Sequence, residues 1–323
     1  MQGTPIVLWP EGAPDARGAD ESDIPVLTPI VPDSDITPTN SCVLLLPAGD
    51  YRKMDLQKAY LVGEWLASLG ILVFVLRYRT ASRYRYPAAL QDTQRAIRLL
   101  RNRAEEFGIS RNLIGVMGFG AGGHLAACLS TLILPGNADS RNPLERWNTR
   151  PDALMLLYPT ISLEIATPEF LNNLLGEEEE EEEERKPSVL GDEVDELLEN
   201  MGILNITSPY SSEKAHARPQ QPEYNEFLLE RLSPHLQVSA STPPTFLVHT
   251  MNDRVAAVDH SILFAQSLQM KNVPVEIHLY EEGLHGFGLG LTQPHLATWT
   301  GLCARWLQLR GFARNIKSAE PPV

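Results

Sequence analysis

The chain has 323 residues, 43% of them hydrophobic, which suffices for one large α/β domain with a sizeable core. Its formal net charge of −14 sits in one stretch: residues 164–240 hold 19 acidic and 5 basic residues, while the remainder balances 22 against 22. A neutral body argues against nucleic-acid binding through a basic face, and the widely spaced Cys42, Cys128 and Cys303 argue against a disulfide framework or a thiolate metal site.

The opening MQGTPIVLWPEGAP lacks a basic region followed by an apolar stretch, so no signal peptide and a cytoplasmic location are expected. No apolar run reaches the roughly 18 residues of a membrane helix, so no membrane association is expected either. From there the chain alternates two kinds of segment. CVLLLPA (42–48) is a short, nearly continuous apolar run and predicts a buried strand. LQKAYLVGEWLASLG (56–70) predicts a helix with a glycine stop, and ILVFVLRY (71–78) a β-branched-rich strand. In 87–108, Ala89, Thr93, Ala96, Ile97, Leu100 and Ala104 fall on one helical face. A strand is predicted over 113–119, a helix over 121–134 and a strand over 153–159. Further strands over 244–250 and 275–281 are each followed by a helix, over 261–270 and 297–309. This alternation predicts an α/β fold, a mostly parallel sheet with helices on both faces, whose ligands bind beyond the carboxyl ends of the strands.

The whole chain, 1–323, reads as one domain interrupted by an acidic insert or cap over 164–240. Within it, the eight consecutive glutamates Glu177–Glu184 repel one another and bury nothing, so 177–190 is expected to be disordered. A solvated spacer is one reading of the insert and a docking segment for a basic partner the other. EVDELLENMGIL and EYNEFLLERL predict short helices, and Asn205-Ile206-Thr207 fits a glycosylation sequon that matters only in a secreted chain.

Four places beyond predicted strands carry residues suited to hydrolysis. GFGAGGHLA (118–126) joins a strand to a helix, as the G-x-S-x-G nucleophile turn of many hydrolases does, but its central position is Gly120. HTMNDRVAAVDHS places Asp253 after the next strand but one, and EEGLHGFGLG places His285 after the last. LLPAGDY puts Ala48, Gly49 and Asp50 where backbone donors for an oxyanion are expected. The chain order of nucleophile position, acid and histidine is that of the α/β-hydrolases. His124 at a helix start reads as a packed or capping residue and His249 as a buried, hydrogen-bonded one. The other histidines show no metal-ligand spacing, and no cofactor is expected. Cys128, eight residues beyond Gly120, is expected in the core; Thr160 and Ser162 are further candidate nucleophiles without an evident base beside them.

Together VLWPEGAP, YPAALQDTQRAIRLLR, GFGAGGHLAA, SPHLQVSASTPPTFLVHT and EEGLHGFGLG resemble the acetyl-xylan-esterase and feruloyl-esterase-like branch of the α/β-hydrolase superfamily. The resemblance covers most of the chain outside the acidic insert. It implies an α/β-hydrolase fold, Asp253 and His285 as the acid and base, and Gly120 in place of the nucleophilic serine. It also implies an oxyanion site built from Ala48, Gly49, Asp50 and Ala121, and a small ester or acylated sugar as ligand. The family's P-G-G-G-Y appears as Pro47-Ala48-Gly49-Asp50-Tyr51, its following His-Glu-Gly as Lys58-Ala59-Tyr60, and the Val-Pro after its acid as Ala256-Ala257. Glycine cannot attack a carbonyl, and a carboxylate at Asp50 opposes an oxyanion unless it is protonated or turned away. Three readings follow: a degenerate esterase, an esterase working through water or an unusual nucleophile, or a scaffold acting through the acidic insert.

Overall fold

A computed structural model describes residues 2–81, 83–176 and 225–314. The Glu177–Glu184 run, the disorder expected over 177–190, the helix expected in EVDELLENMGIL and the Asn205 sequon lie outside those residues.

Among the described residues the strands are β1 (Ile6–Val7), β2 (Val26–Ile30), β3 (Cys42–Leu46), β4 (Leu72–Arg77), β5 (Ile114–Phe119), β6 (Ala153–Leu157), β7 (Thr245–Thr250) and β8 (Val275–Tyr280). The helices are α1 (Leu56–Ser68), α2 (Ala88–Asn102), α3 (Ala121–Thr131), α4 (Pro168–Leu175), α5 (Glu226–Arg231), α6 (Asp259–Met270) and α7 (Pro294–Leu309). The strands form one sheet in the order β1-β2-β4-β3-β5-β6-β7-β8. From β4 to β8 all neighbours are parallel; β1 and β2 add an antiparallel margin. This is the α/β-hydrolase fold.

Period-two alternation sends successive strand residues to opposite faces. Cys42, Leu44 and Leu46 of β3 join Ile97, Leu100, Leu125 and Phe264 on the face covered by α2, α3 and α6. Val43 and Leu45 join Val62, Leu66, Trp299 and Leu307 on the face covered by α1 and α7. All five β3 residues are fully buried, and each buried valine or leucine contributes roughly 1.5–3 kcal/mol. Because β3, β5, β7 and β8 run the same way, the loops after them gather along one edge of the sheet.

Two elements depart from the sequence expectation. Strand β2 carries Pro29 in its interior, which argues against a strand on sequence grounds. Gly3 N donates to Pro29 O (2.8 Å), so the N–H that proline lacks faces the β1 side and the ladder to β4 survives. Helix α4 begins with Thr167 accepting from Phe170 N and Pro168 in the first turn. Both flanks of the segment expected as an acidic insert or cap over 164–240 contribute to the main unit. Phe170, Leu174, Leu232 and Val238 are buried in the core, and the main unit runs to Gly176 and resumes at Asn225.

Buried polar joints fix the loops. Arg79, just after β4, pairs with Asp92 on α2; both side chains have zero exposure, with Nη2 to Oδ1 at 2.8 Å. Trp9 Nε1 donates to the same oxygen (2.8 Å), tying the N-terminal segment down. Burial pushes the Asp92 carboxyl up, and the bonds from Arg79 oppose that shift. His124 donates from Nε2 to Leu232 O (2.7 Å) and accepts the Tyr51 hydroxyl at Nδ1 (2.7 Å), so it is held neutral. Burial pushes its pKa down to about 4. His260 Nδ1 accepts the N–H groups of Ile161 (3.2 Å) and Ser162 (3.1 Å). Burial, then the neighbouring His249 and His124, push His260 down to about 4 as well.

Two outcomes follow for stability. Asp92→Asn leaves the Arg79 guanidinium buried without its counter-charge and should cost about 3–5 kcal/mol, read from urea denaturation. An unfolded histidine takes up a proton below about pH 6.5, whereas His124 and His260 resist until about pH 4. Their stabilisation is thus complete above pH 6.5 and fades as pH falls towards 4, on the order of 3 kcal/mol for each. A urea midpoint that stays flat across that window would contradict this account.

Candidate active site

Gly120 connects β5 to α3 with φ 50° and ψ −116°. Its N–H donates to Leu157 O (3.1 Å) and its carbonyl accepts from His124 N (3.0 Å), so the turn is fixed on both sides. A residue with a side chain holds such a backbone only at a cost of about 1–3 kcal/mol; glycine adopts it freely. A Cβ built on Gly120 would lie 3.3 Å from His285 Nε2 and 3.8 Å from the Ala48 side chain. A hydroxyl one bond further out would be within reach of that nitrogen.

His285 lies in the loop after β8, and its Nδ1 hydrogen-bonds to Asp253 Oδ2 at 2.7 Å. Asp253 lies in the loop after β7, and its side chain has zero exposure. Its Oδ1 accepts the N–H groups of Val255 (2.8 Å) and Ala256 (3.0 Å). Its Oδ2 also stands 3.3 Å from His249 Nε2. Burial by itself would raise the Asp253 pKa; the bonds from His249, His285 and the loop N–H groups outweigh it and hold the carboxyl well below the usual range. A carboxylate at Asp253 requires the proton on His285 Nδ1, which turns the Nε2 lone pair towards Gly120.

Opposite lies the loop after β3. Gly49, Asp50 and Tyr51 all have positive φ (135°, 51° and 58°). Asp50 is exposed, and after burial its charge is the next cause pushing the Tyr78 phenol up. Tyr78 in turn donates to Pro47 O (2.9 Å). Ala121 is the first residue of α3, where an N–H has no helical carbonyl to bond. The structure thus brings Ala48, Gly120 and His285 together, with Asp253 directly behind His285. Lys58, in α1, is paired with Asp55 (3.0 Å) and lies close to Gly286. Beside His285 opens a groove of about 330 Å³ lined by Lys58, Leu61, Leu284, Phe287, Leu291 and others.

Of the other candidate nucleophiles, Thr160 is buried beside the turn, its N–H donating to Gly120 O (3.4 Å). Cys128 is buried, its thiol pushed up by burial, and it packs against the His124 ring. Ser162 is buried, and the histidine beside it, His260, is occupied by two backbone N–H groups. Two residues acquire a place that sequence reasoning missed. Tyr158, at the end of β6, has φ 40° and packs its ring edge-on against His285 (4.8 Å) and Phe287 (4.8 Å). His249 was legible as a buried, bonded histidine, but its contact with Asp253 was not; a spacing of four residues across a strand end gives no periodic signal. Among the described residues no group of three or more His, Cys, Asp or Glu side chains could hold a metal ion, and no helix is long and apolar enough to cross a membrane.

The chain as a whole is similar to known proteins. A solved acetyl ester-xyloside bifunctional hydrolase from Caldicellulosiruptor lactoaceticus is 35% identical, with a TM-score of 0.75 over 96% of this chain and 97% of that one. Endo-1,4-beta-xylanase B of Butyrivibrio fibrisolvens is 26% identical over 265 residues, and an acetylxylan esterase of Xylanibacter ruminicola 26% over 257. These two matches cover 80% and 78% of this chain but only 34% and 42% of those longer proteins. The BD-FAE family model matches residues 48–268, a span that includes Ala48, Gly120 and Asp253, and the chain belongs to that family of α/β-hydrolase-fold esterase relatives.

Proposed function

We propose that this chain is an acetylxylan-esterase-like protein that has lost the covalent serine route and keeps a pocket for a short acyl ester, of a sugar or of another small alcohol. One observation carries the reading. A Cβ at position 120 would lie 3.3 Å from His285 Nε2, but the residue there is Gly120, which has no atom with which to attack a carbonyl. The remaining parts of a serine hydrolase site have their usual neighbours: an acid behind the histidine, a tight loop after β3 and a first-turn amide at the start of α3. The similarity to a xylanase and an acetylxylan esterase supports an acylated sugar as the ligand class.

The 2.7 Å contact between Asp253 and His285 also favours a second, slower route. In it His285 Nε2 takes a proton from water as the water oxygen adds to the ester carbonyl. The same proton then passes to the departing alkoxide as the tetrahedral intermediate collapses. Such a site lacks the acyl-enzyme and keeps only the roughly 10³–10⁴-fold advantage that binding and oxyanion donors give over water.

A fluorophosphonate probe should leave the protein unlabelled, and stoichiometric labelling of any serine would overturn the first reading. Hydrolysis of p-nitrophenyl acetate should match that of His285→Ala; a rate that falls in the variant selects the water route. Gly120→Ser should lower stability by about 1–3 kcal/mol through its backbone strain. It should also raise p-nitrophenyl acetate turnover by about 10²-fold or more. A folded but inactive Gly120→Ser protein would place the defect in the loop bearing Asp50 as well.

A further inference from the structure

We propose that the outer edge of β8 is a contact surface for a second copy of this chain, the two β8 strands pairing antiparallel. The surface lies away from position 120 and is independent of the chemistry there. In the sheet order β8 comes last, with β7 as its neighbour. Pro274 O accepts Thr245 N (2.9 Å) and Tyr280 O accepts Met251 N (2.7 Å), so the even-numbered residues turn their backbone groups towards β7. These groups alternate along a strand, so the N–H and C=O of Val275, Ile277 and Leu279 point outwards. Among the described residues no loop or side chain bonds them. An open edge of this kind is a template for another strand. The usual deterrents are an internal proline, a bulge or lysines along the edge, and VEIHLY carries no proline and no lysine. Pro274, just before the strand, faces β7 and leaves the outer edge intact.

The side chains say why the partner is another copy. A two-fold contact needs residue i to meet residue j and j to meet i. The outward groups are centred on Ile277, so an axis there sets Ile277 opposite Ile277 and Val275 opposite Leu279, with every outward N–H facing a C=O. A shift of two residues would leave an outward group unbonded at the end of each strand. In the centred register Glu276 of one copy lies opposite His278 of the other, and the axis makes that pair twice. These are the pairs in which side chains stand closest. Within one chain Glu276 Oε1 and His278 Nε2 already lie 2.9 Å apart on the same face. The four side chains therefore form a square of alternating acid and imidazole, with like groups only on its diagonals. On the other face Leu279, 40% exposed, covers Val275 of the second copy. A strand of unrelated sequence would match this pattern only by chance; β8 matches it by symmetry.

The test is sedimentation velocity of the full chain. At about 100 μM, where a low-micromolar Kd gives mostly dimer, a species near twice 35.9 kDa is expected. Leu279→Lys puts a charge against Val275 of the other copy, and Glu276→Lys puts a cation opposite His278. Each should weaken association at least about tenfold while the circular dichroism stays that of the parent. The exchange Glu276→His with His278→Glu keeps the acid opposite the imidazole and should restore the dimer. A monomeric parent at that concentration, a dimer indifferent to Leu279→Lys, or an exchange variant that folds but stays monomeric overturns the proposal. Should the variants fail to fold, hydrogen exchange of the parent decides instead. The amides of Val275, Ile277 and Leu279 should exchange more slowly as protein concentration rises, and exchange that does not change with concentration overturns the proposal.

Discussion

The site depends on how closely the first turn of α3 lies against the sheet. A Cβ on Gly122 would fall 2.2 Å from Leu46 O at the end of β3, and one on Gly118 would fall 2.2 Å from Gly122 O. Backbone touches backbone here, with no side chain between. β3 and β5 are already paired there, Leu46 opposite Gly118, and the contact seats the start of α3 over both strand ends, with Ala48 close to Gly120. It also forces the sharp reversal that leaves Gly120 at φ 50°. Any residue at position 120 would project from a strained turn towards the loop after β8. The fold alone thus sets the aim of that position, whatever side chain occupies it.

The central strands were legible because β3, β5, β6 and β7 are buried on both faces, which writes unbroken apolar runs into the sequence. The places of Gly120 and Asp253, each just beyond such a strand, were legible for the same reason, while His285 follows the half-exposed β8. The antiparallel margin was not: β2 is five residues long and interrupted by Pro29, and only its pairing partners reveal that the proline is harmless. Composition does not mark where the chain leaves and rejoins the core on either side of the glutamate run. Glu164 and Glu169 look like the charged run that follows, yet Phe170 and Leu174 anchor that part of the chain in the core.

Within the site, residue types were visible and distances were not. That His285 Nε2 faces Gly120 follows from how β5 and β8 are placed in three dimensions, and no spacing in the sequence encodes it. The same holds for Tyr158, whose strained backbone presents a ring to His285, and for His260, whose ring caps the turn after β6 where a catalytic serine or threonine could otherwise be imagined. Titratable groups in the interior have thus been given hydrogen-bonding duties that take them out of proton-transfer chemistry. The Asp253–His285 pair differs in keeping one ring nitrogen directed at open space.

Asp253 divides its two oxygens between tasks. Oδ1 closes the loop after β7 by accepting Val255 N and Ala256 N, while Oδ2 addresses the two histidines. Ala256 is itself buried, and its carbonyl takes the His249 ring. Removing the carboxylate would therefore unseat a structural turn before it altered any reaction. Folding alone supplies a reason for an aspartate at this place, whatever residue stands at position 120. An acid and a histidine in the right order are consequently a record of architecture first, and of chemistry only second.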